Sequence, residues 1–293
     1  MVSRHARGKV LEIVNEFYEK NPFPGFDPGK YETRLDLAER SSWYARRLDA
    51  EIPFDSRVID VGCGTGQLAA FLAVKGRSVL GVDYSEQSLA LARELKRRLA
   101  LANVDFRRVN LLDWDLPPES FDYVFCNGVL HHTSDPFAGF RNLVEITRPG
   151  GMLVVGLYNR YGRIDLTLRR GLVRAWSLLD PGAKDRAIRR QLVELEDDEA
   201  KRRTWYADQY EHPHESTHSV GEVLRWFEEC QIEYVSSLPK IELGGATPKR
   251  VFRRREVAGF RRGPIPHLLT QLGWMFTQRA GGGYFVIVGR KAG

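Results

Sequence analysis

The chain has 293 residues, of which 43% are hydrophobic and 28% are charged. These values are ordinary for a soluble globular protein, and the length allows one large domain or one domain with substantial insertions. The sequence has no apolar run that could span a membrane and no secretory leader, and its three cysteines form neither a disulfide framework nor a metal-binding pair. We therefore expect a cytoplasmic protein with reduced thiols.

The formal net charge of +6 is concentrated in one segment. Residues 249–262 contain seven lysines and arginines and one acidic residue, Glu256. The net charge of this segment therefore equals that of the whole chain. A local patch of this kind indicates at most one anionic contact, whereas an evenly basic chain would indicate nucleic-acid binding over much of the surface.

In chain order, helical spacing of apolar residues runs from Arg4 to Lys20 and stops at the proline-rich stretch Asn21–Gly25, and a second helix is predicted over Tyr31–Asp49. Short β-branched runs then alternate with amphipathic stretches, which predicts βαβ units and a parallel sheet. The first five predicted strands are Arg57–Val61, Ser78–Val82, Val104–Val109, Phe121–Cys126 and Gly151–Leu157. The helices between them are predicted over Gln67–Lys75, Ser85–Leu101 and Pro136–Thr147.

The alternation stops after the fifth strand. Helical stretches follow at Leu166–Leu179 and Asp185–Trp205, and a capping box at Ser219 and Glu222 begins a helix that ends near Cys230. Two more strands are predicted at Ile232–Ser237 and Tyr284–Val288, separated by a stretch that is too long for a simple loop. The predicted fold is α/β: a seven-stranded, doubly wound sheet with helical insertions after strand five and between strands six and seven.

A glycine cluster lies between the first strand and its helix. Glycines 62, 64 and 66 leave no side chain between the backbone and a ligand that crosses the end of the strand. The pattern differs from the dinucleotide fingerprint, because the third glycine comes early and Gln67 stands where that fingerprint has a small residue. Asp60, just before the first glycine, suits a cationic amine better than a pyrophosphate. The cluster therefore favours an amino-acid-bearing nucleoside over NAD.

Three further groups of polar residues lie at the carboxyl ends of predicted strands, the edge where open α/β sheets bind ligands. Asp83 ends the second strand and could accept hydrogen bonds from two ribose hydroxyls, Asn110–Leu112 follow the third and could flank an adenine, and Asn127–Thr133 follow the fourth.

These motifs, in this order, resemble the core of class I S-adenosylmethionine (SAM)-dependent methyltransferases. The stretches D-V-G-C-G-T-G, G-V-D-Y-S, S-F-D-Y-V, G-V-L-H-H and R-P-G-G lie between about residues 57 and 160, and their style is similar to the small-molecule group that includes the ubiquinone/menaquinone-biosynthesis enzymes. The resemblance implies a Rossmann-like fold, an antiparallel seventh strand, and SAM as cofactor with S-adenosylhomocysteine as product. Asn110 stands where the family has an acidic residue. The expected cofactor-binding residues are Asp60, Gly62, Cys63, Gly64, Gly66, Gln67, Asp83, Tyr84, Asn110, Leu111, Leu112, Asn127, Gly128 and Val129.

Five residues are candidates for catalysis. His131 and His132 follow strand four, Tyr158 follows strand five, and His212 and His214 lie in a histidine-rich loop before the helix that leads to strand six. His212, His214 and Glu215 are also possible metal ligands, but the other motifs need no metal and we predict none. Tyr18, Phe23 and Phe26 could form an aromatic lid over the cofactor, or the segment could simply end a helix against the core.

The predicted organisation has four parts: an N-terminal helical lid (1–50), the SAM-binding core (51–159), a helical insertion that covers the substrate (160–218), and a C-terminal completion of the core (219–293) that carries a basic insertion (239–283). The expected function is SAM-dependent methyl transfer to an oxygen, nitrogen or carbon atom of a small molecule. An RNA acceptor such as tRNA, contacted through residues 249–262, is the alternative, followed by a protein side chain or a SAM-binding protein without catalysis. The oligomeric state is left open.

Overall fold

A computed structural model describes residues 4–25, 27–180, 199–241, 250–253, 264–277 and 282–293. The chain forms a seven-stranded sheet in the order β3-β2-β1-β4-β5-β7-β6. The strands are β1 Arg57–Val61, β2 Ser78–Asp83, β3 Val104–Arg108, β4 Phe121–Asn127, β5 Thr147–Tyr158, β6 Ile232–Leu238 and β7 Tyr284–Lys291. All seven predicted strands are confirmed.

The pairing is that of a doubly wound sheet. Strands β1 to β5 pair in parallel, whereas β7 runs antiparallel to both β5 and β6, for example through Val154 opposite Val288. Successive strands are added on one side of β1 up to β3, and on the other side from β4 onwards. In sheets of this kind, a crevice for ligands forms at the carboxyl ends of the two strands where the direction changes, here β1 and β4. The predicted antiparallel seventh strand is therefore confirmed.

Helices cover both faces of the sheet. They are α1 Arg4–Lys20, α2 Arg34–Arg40, α3 Trp43–Asp49, α4 Gln67–Ala73, α5 Glu86–Arg98, α6 Pro136–Ile146, α7 Ile164–Leu179, α8 Glu199–Tyr206, α9 Val220–Glu229 and α10 Pro264–Thr277. One buried cluster joins α3, α4 and α5 to the sheet through residues such as Leu48, Phe71 and Leu89. A second cluster joins α6, α9 and α10 to the opposite face through Phe140, Phe227 and Trp274.

The predicted helix over Tyr31–Asp49 is wrong in one respect, because it is divided. A 3-10 turn at Pro28–Lys30 precedes α2, and α2 ends before Ser42, whose side chain accepts a hydrogen bond from the Ala45 amide and caps α3. A serine in this position favours a new helix start over a continuous helix.

The later insertions are described in part. Helices α7 and α8 lie after β5, and α8 continues as a π-helical turn over Ala207–Glu211, whereas α10 lies between β6 and β7. Most of the predicted helix over Asp185–Trp205 and most of the basic segment 249–262 lie outside the described residues. No helix among those described is long and apolar enough to cross a membrane.

Candidate active site

A cavity of about 1060 Å³ lies at the carboxyl ends of the parallel strands. Its floor is formed by the ends of β1, β2 and β4, and its other walls come from α1, the end of β5, and the π-helical turn after α8. Helix α1 contributes Leu11, Val14 and Tyr18, so the N-terminal helix closes one side of the cavity. Phe23 also lines it, whereas Phe26 lies outside the described residues.

The glycine loop after β1 has a conformation that other residues would not adopt. Gly62 and Gly64 line the cavity with φ values of +71° and +52°. A Cβ atom would lie 2.1 Å from the Val129 side chain at Gly62, and 2.1 Å from the Phe23 carbonyl oxygen at Gly64. Both positions therefore need glycine for backbone conformation and for space, and the loop is held tightly between β1, the segment after β4 and the end of α1.

Asp83 lies at the end of β2 and lines the cavity next to this loop. One carboxylate oxygen accepts a hydrogen bond from the Gly64 amide at 2.8 Å, and the other accepts one from the Ser85 amide at 2.9 Å. Burial raises the pKa of the Asp83 carboxyl above its usual value. The two amides fix the orientation of the carboxylate and leave each oxygen able to accept a further hydrogen bond, as two ribose hydroxyls would require.

Four residues of the predicted cofactor set do not line the cavity. Cys63 and Gly66 face the protein interior, where a Cβ on Gly66 would meet Ala92 and Phe106 at less than 3 Å. The Gln67 amide donates to the Tyr31 hydroxyl. Asp60 is buried at 4% exposure below the loop, and burial, together with the nearby Asp83 carboxylate, raises its pKa to about 7. These residues shape the loop from behind.

The other predicted cofactor residues lie on the wall of the cavity. Tyr84, Asn110, Leu111, Leu112, Asn127, Gly128 and Val129 all line it. The Asn110 side chain accepts a hydrogen bond from the Leu112 amide and shapes the turn after β3. The side-chain nitrogen of Asn127 is buried without a hydrogen-bond partner, so it is a donor available to a ligand.

The candidate catalytic residues separate into two groups. His132 and Tyr158 line the cavity, whereas His131, His212 and His214 lie behind its wall. His131 is fully buried, neither of its ring nitrogens has a hydrogen-bond partner, and burial holds its pKa well below the usual value. The His214 ring bonds to the Thr133 carbonyl, and the His212 ring stacks on that of His132 with centroids 3.7 Å apart.

His132 has a defined tautomer. Its Nδ1 lies 3.0 Å from the carbonyl oxygen of His214. Because a carbonyl oxygen can only accept, Nδ1 carries the proton and the neutral ring keeps its lone pair on Nε2. Burial lowers the pKa of His132 and so favours this neutral form.

Asp208 is a residue of this site that the sequence analysis missed. Asp208 is 4% exposed and lines the cavity. Its carboxylate oxygen Oδ1 lies 3.8 Å from Nε2 of His132. The hydroxyl of Tyr18 donates to Oδ1 at 3.0 Å, and the hydroxyl of Tyr158 donates to Oδ2 at 2.8 Å. No motif marks Asp208, and the two tyrosines that contact it lie 190 and 50 positions away in the sequence.

Glu215 belongs to a neighbouring ion-pair network. The guanidinium groups of Arg163 and Arg170 both contact its carboxylate, and Arg163 is 1% exposed. These charges hold the pKa of Glu215 below its usual value against the opposing effect of burial. The Arg163 guanidinium also lies 3.4 Å from the centroid of the Tyr158 ring. Glu215 therefore anchors the loop that carries His212 and His214 through its ion pairs with the two arginines.

Three side chains could be considered as metal ligands. His132, Asp208 and His212 offer ligand atoms that lie within 4.8 Å of one another. However, Nδ1 of His212 accepts a hydrogen bond from the His214 amide at 3.2 Å, so the neutral ring carries its proton on Nε2. His212 would therefore have to break this bond and change tautomer to bind a metal through Nε2. Of the three side chains, His132 and Asp208 have free lone pairs, on Nε2 and Oδ1.

Among known proteins, the sequence model of the methyltransferase domain family matches residues 54–228, which is more than half of the chain. The chain belongs to the class I SAM-dependent methyltransferases. An uncharacterised protein of Synechococcus sp. is 29% identical over 244 residues, or 75% of this chain and 58% of that protein. A ubiquinone biosynthesis O-methyltransferase of Pseudomonas savastanoi pv. phaseolicola is 32% identical over 147 residues, or 50% of this chain and 62% of the enzyme.

The chain thus spans about 60% of the length of these relatives. Similarity to solved structures supports the fold and nothing beyond it. A SAM-dependent methyltransferase of Methanosarcina mazei superimposes with a TM-score of 0.50 at 19% identity, covering 84% of this chain and 96% of the other. PKMT2 of Rickettsia typhi gives a TM-score of 0.59 at 17% identity, covering 84% of this chain and 51% of the other. Both support the Rossmann-like methyltransferase fold predicted from the sequence.

The family implies SAM as cofactor, and the residues of the cavity fit it. The glycine loop leaves room that a Cβ would fill, Asp83 offers free carboxylate lone pairs, and Asn127 offers a buried donor without a partner. The charged side chains among the described lining residues are all acidic: Asp83, Asp113 and Asp208. An acidic cavity suits a ligand that carries a sulfonium and an ammonium group.

Proposed function

We propose that the protein transfers the methyl group of SAM to an oxygen or nitrogen atom of a small molecule held in the cavity, with His132 as the general base. The observation that carries this proposal is the free Nε2 lone pair of His132, which follows from the bond between Nδ1 and the His214 carbonyl. Asp208, 3.8 Å away, would stabilise the imidazolium that forms when His132 takes a proton.

SAM supplies a methyl group made electrophilic by a positively charged sulfur. The chain's own residues would hold this cofactor through the Gly62–Gly64 loop and the Asp83 carboxylate, and Asn127 would donate a hydrogen bond to it. Helix α1 and the turn after α8 would exclude water and hold the acceptor in line. Alignment of the reactants and exclusion of water are the main contributions a protein makes to such a transfer.

A small acceptor is favoured over RNA by the walls of the cavity. Helix α1 encloses one side, and no lysine or arginine is present among the described lining residues, although phosphate groups are bound mainly by these side chains. Residues 250–253 are held elsewhere, since the backbone amides of Val251 and Phe252 donate to the Glu51 carboxylate. The described part of the basic segment therefore does not line the cavity.

The test uses tritium-labelled SAM and a low-molecular-weight extract of the source organism. We expect label to enter small molecules with the wild-type chain, and His132→Asn to reduce the rate by roughly 10²–10⁴-fold at neutral pH, as for loss of a general base. His267→Asn, on α10 and outside the cavity lining, is the matched control and should keep full activity. A protein that binds SAM but labels no extract would instead be a binding protein without catalysis.

A further inference from the structure

Two hydrogen-bond acceptors face each other on the wall of the cavity. Nε2 of His132 and Oδ1 of Asp208 are 3.8 Å apart, too far for a direct hydrogen bond. Nε2 carries no proton because Nδ1 is bonded to the His214 carbonyl. Two buried lone pairs that face each other without a hydrogen between them are unfavourable unless another group donates to both.

The other contacts of Asp208 do not fill this gap. Tyr18 donates to Oδ1 at 3.0 Å, while Tyr158 and the Gln209 amide donate to Oδ2 at 2.8 and 2.9 Å. All three are neutral donors, and Oδ1 receives only one of them, which leaves it a lone pair. The carboxylate is thus held in place by α1, β5 and the turn after α8, while one of its oxygens remains available to a ligand.

An atom about 2.9 Å from both acceptors can bridge a gap of this size if it carries two hydrogens. A single hydroxyl oxygen carries one, so it satisfies His132 or Asp208 but not both. The nitrogen of a neutral primary amine carries two and still has a lone pair. Such a nitrogen can donate to His132 and to Asp208 at once while its lone pair points towards a third direction.

We propose that the methyl acceptor is a primary amine, and that its nitrogen binds between His132 and Asp208. The inference rests on the proposed function and specifies the reacting atom. The nitrogen lone pair forms the new bond to the methyl carbon, and the electron pair of the broken C–S bond stays on sulfur. The nitrogen, now positively charged, gives one proton to Nε2 of His132, and Asp208 faces the resulting imidazolium. Charge and atoms balance without a further reactant.

The lining of the cavity agrees with an amine. The hydroxyls of Tyr18 and Tyr158 both contact Asp208, Trp205 also lines the cavity, and aromatic faces attract the ammonium group that methyl transfer to an amine forms. A carboxylate acceptor would meet Asp208 without any lysine or arginine among the described lining residues to compensate its charge. A water molecule, a vicinal diol and a divalent cation are the alternative occupants of the gap, and the experiment separates them from an amine acceptor.

The decisive measurement uses the native chain, tritium-labelled SAM and the low-molecular-weight extract. One half of the extract is treated with N-acetoxysuccinimide and then with hydroxylamine, which leaves amines acylated and restores hydroxyls. We expect label incorporation to fall to background in the treated half. Incorporation that survives treatment would show an acceptor atom other than a primary amine nitrogen, which overturns the amine and leaves the proposed function intact. No incorporation in either half would overturn both.

Variants and a chelator test the placement between the two residues. Asp208→Asn should reduce incorporation by roughly 10- to 100-fold, as for loss of one charged hydrogen bond, and should reduce S-adenosylhomocysteine affinity by a smaller factor. Asp105→Asn removes a carboxylate that is 59% exposed on β3 and should change neither quantity. EDTA should have no effect. Loss of activity with EDTA that a divalent metal restores would assign the gap to a metal ion and overturn the proposal.

Discussion

At the scale of single residues, the buried carboxyl group of Asp60 makes stability depend on pH. Its folded-state pKa is about 7, whereas an unfolded aspartate has a pKa of about 3.9. A carboxyl whose pKa is raised on folding stabilises the protein below the unfolded pKa, and this contribution is lost as the pH rises through the folded pKa. The cofactor-free protein should therefore lose stability between about pH 4 and pH 7 through this group.

Asp60→Asn removes this titration, so the stability of the variant relative to the wild type should increase with pH. The free energy of unfolding of the variant should rise relative to the wild type by up to roughly 4 kcal/mol between about pH 4 and pH 8, the value for a shift of about three pKa units. Urea denaturation of both proteins across this range measures the difference. Asp105→Asn, at an exposed position, serves as control. A difference that does not vary with pH would mean that Asp60 does not titrate as its burial indicates.

Asp83 supplies a second prediction at this scale. Replacement by alanine removes the carboxylate that Gly64 and Ser85 hold in the cavity, and SAM affinity should fall by roughly 10- to 100-fold, as for loss of charged hydrogen bonds. Calorimetric titration with S-adenosylhomocysteine measures this loss, and the melting temperature shows whether the loop remains folded. An unchanged dissociation constant would show that the carboxylate does not bind the ribose.

The residues of the site differ in how far the sequence could predict them. Asp83, Asn127 and His132 follow strands whose ends are recognisable from local hydrophobic patterns, and all three line the cavity. Gly66 and Cys63 belong to the same motif but face the interior. A linear pattern fixes where a residue lies along the chain, whereas the direction of its side chain depends on neighbours such as Ala92 and Phe106. Asp208 could not be found, because only the folded chain brings it to Tyr18.

At the scale of elements, α1 acts as a wall of the cavity that is fastened at its end. The Tyr18 hydroxyl donates to Asp208, and the Gly25 amide that follows α1 donates to Thr204 of α8. The proline-rich stop after α1 was a signal for a lid in the sequence, since it ends the helix beside the glycine loop. Thr204 on α8 and Asp208 in the turn after it carried no such signal, because helical spacing is the only pattern in this stretch of the sequence.

Tyr18→Phe removes one of these fastenings without changing the volume of the side chain appreciably. Loss of a hydrogen bond to a charged group should make opening of α1 easier by about 1.5–3 kcal/mol, so amide exchange within residues 8–20 should become roughly 10- to 100-fold faster. Hydrogen exchange followed by mass spectrometry measures this, with peptides of β4 as the internal control. Equal exchange in both proteins would show that the Tyr18–Asp208 bond does not hold the helix.

At the scale of the whole molecule, the charges of the chain and of its cavity have opposite signs. The chain carries a formal charge of +6, whereas the charged side chains among the described lining residues are aspartates. The overall positive charge therefore gives no information about the ligand of the cavity. Net charge describes the surface as a whole, and a binding site is governed by the few groups that face it.

Charge reversal in the basic segment tests this separation. Changing Arg253, Arg254 and Arg255 to glutamate is predicted to leave S-adenosylhomocysteine affinity and small-molecule labelling unchanged. Binding of total RNA on filters, measured from about 50 to 300 mM salt, should be weak in both proteins. Tight binding that falls with a slope of roughly 0.7 per phosphate contact and disappears in the triple variant would support an RNA acceptor.

The segment from Asp83 to Glu86 touches both the cofactor side of the cavity and the end of α1. The Ser85 amide donates to Asp83, while Glu19 of α1 accepts from the Glu86 amide at 2.7 Å and the Ser85 hydroxyl contacts the Tyr18 carbonyl oxygen. A cofactor bound at Asp83, as we propose, would therefore order the same four residues as docking of α1. Linkage then requires each event to strengthen the other by the same factor. We therefore expect a methyl donor that enters first to favour docking of the helix over whatever enters second, and hence an ordered sequence of binding.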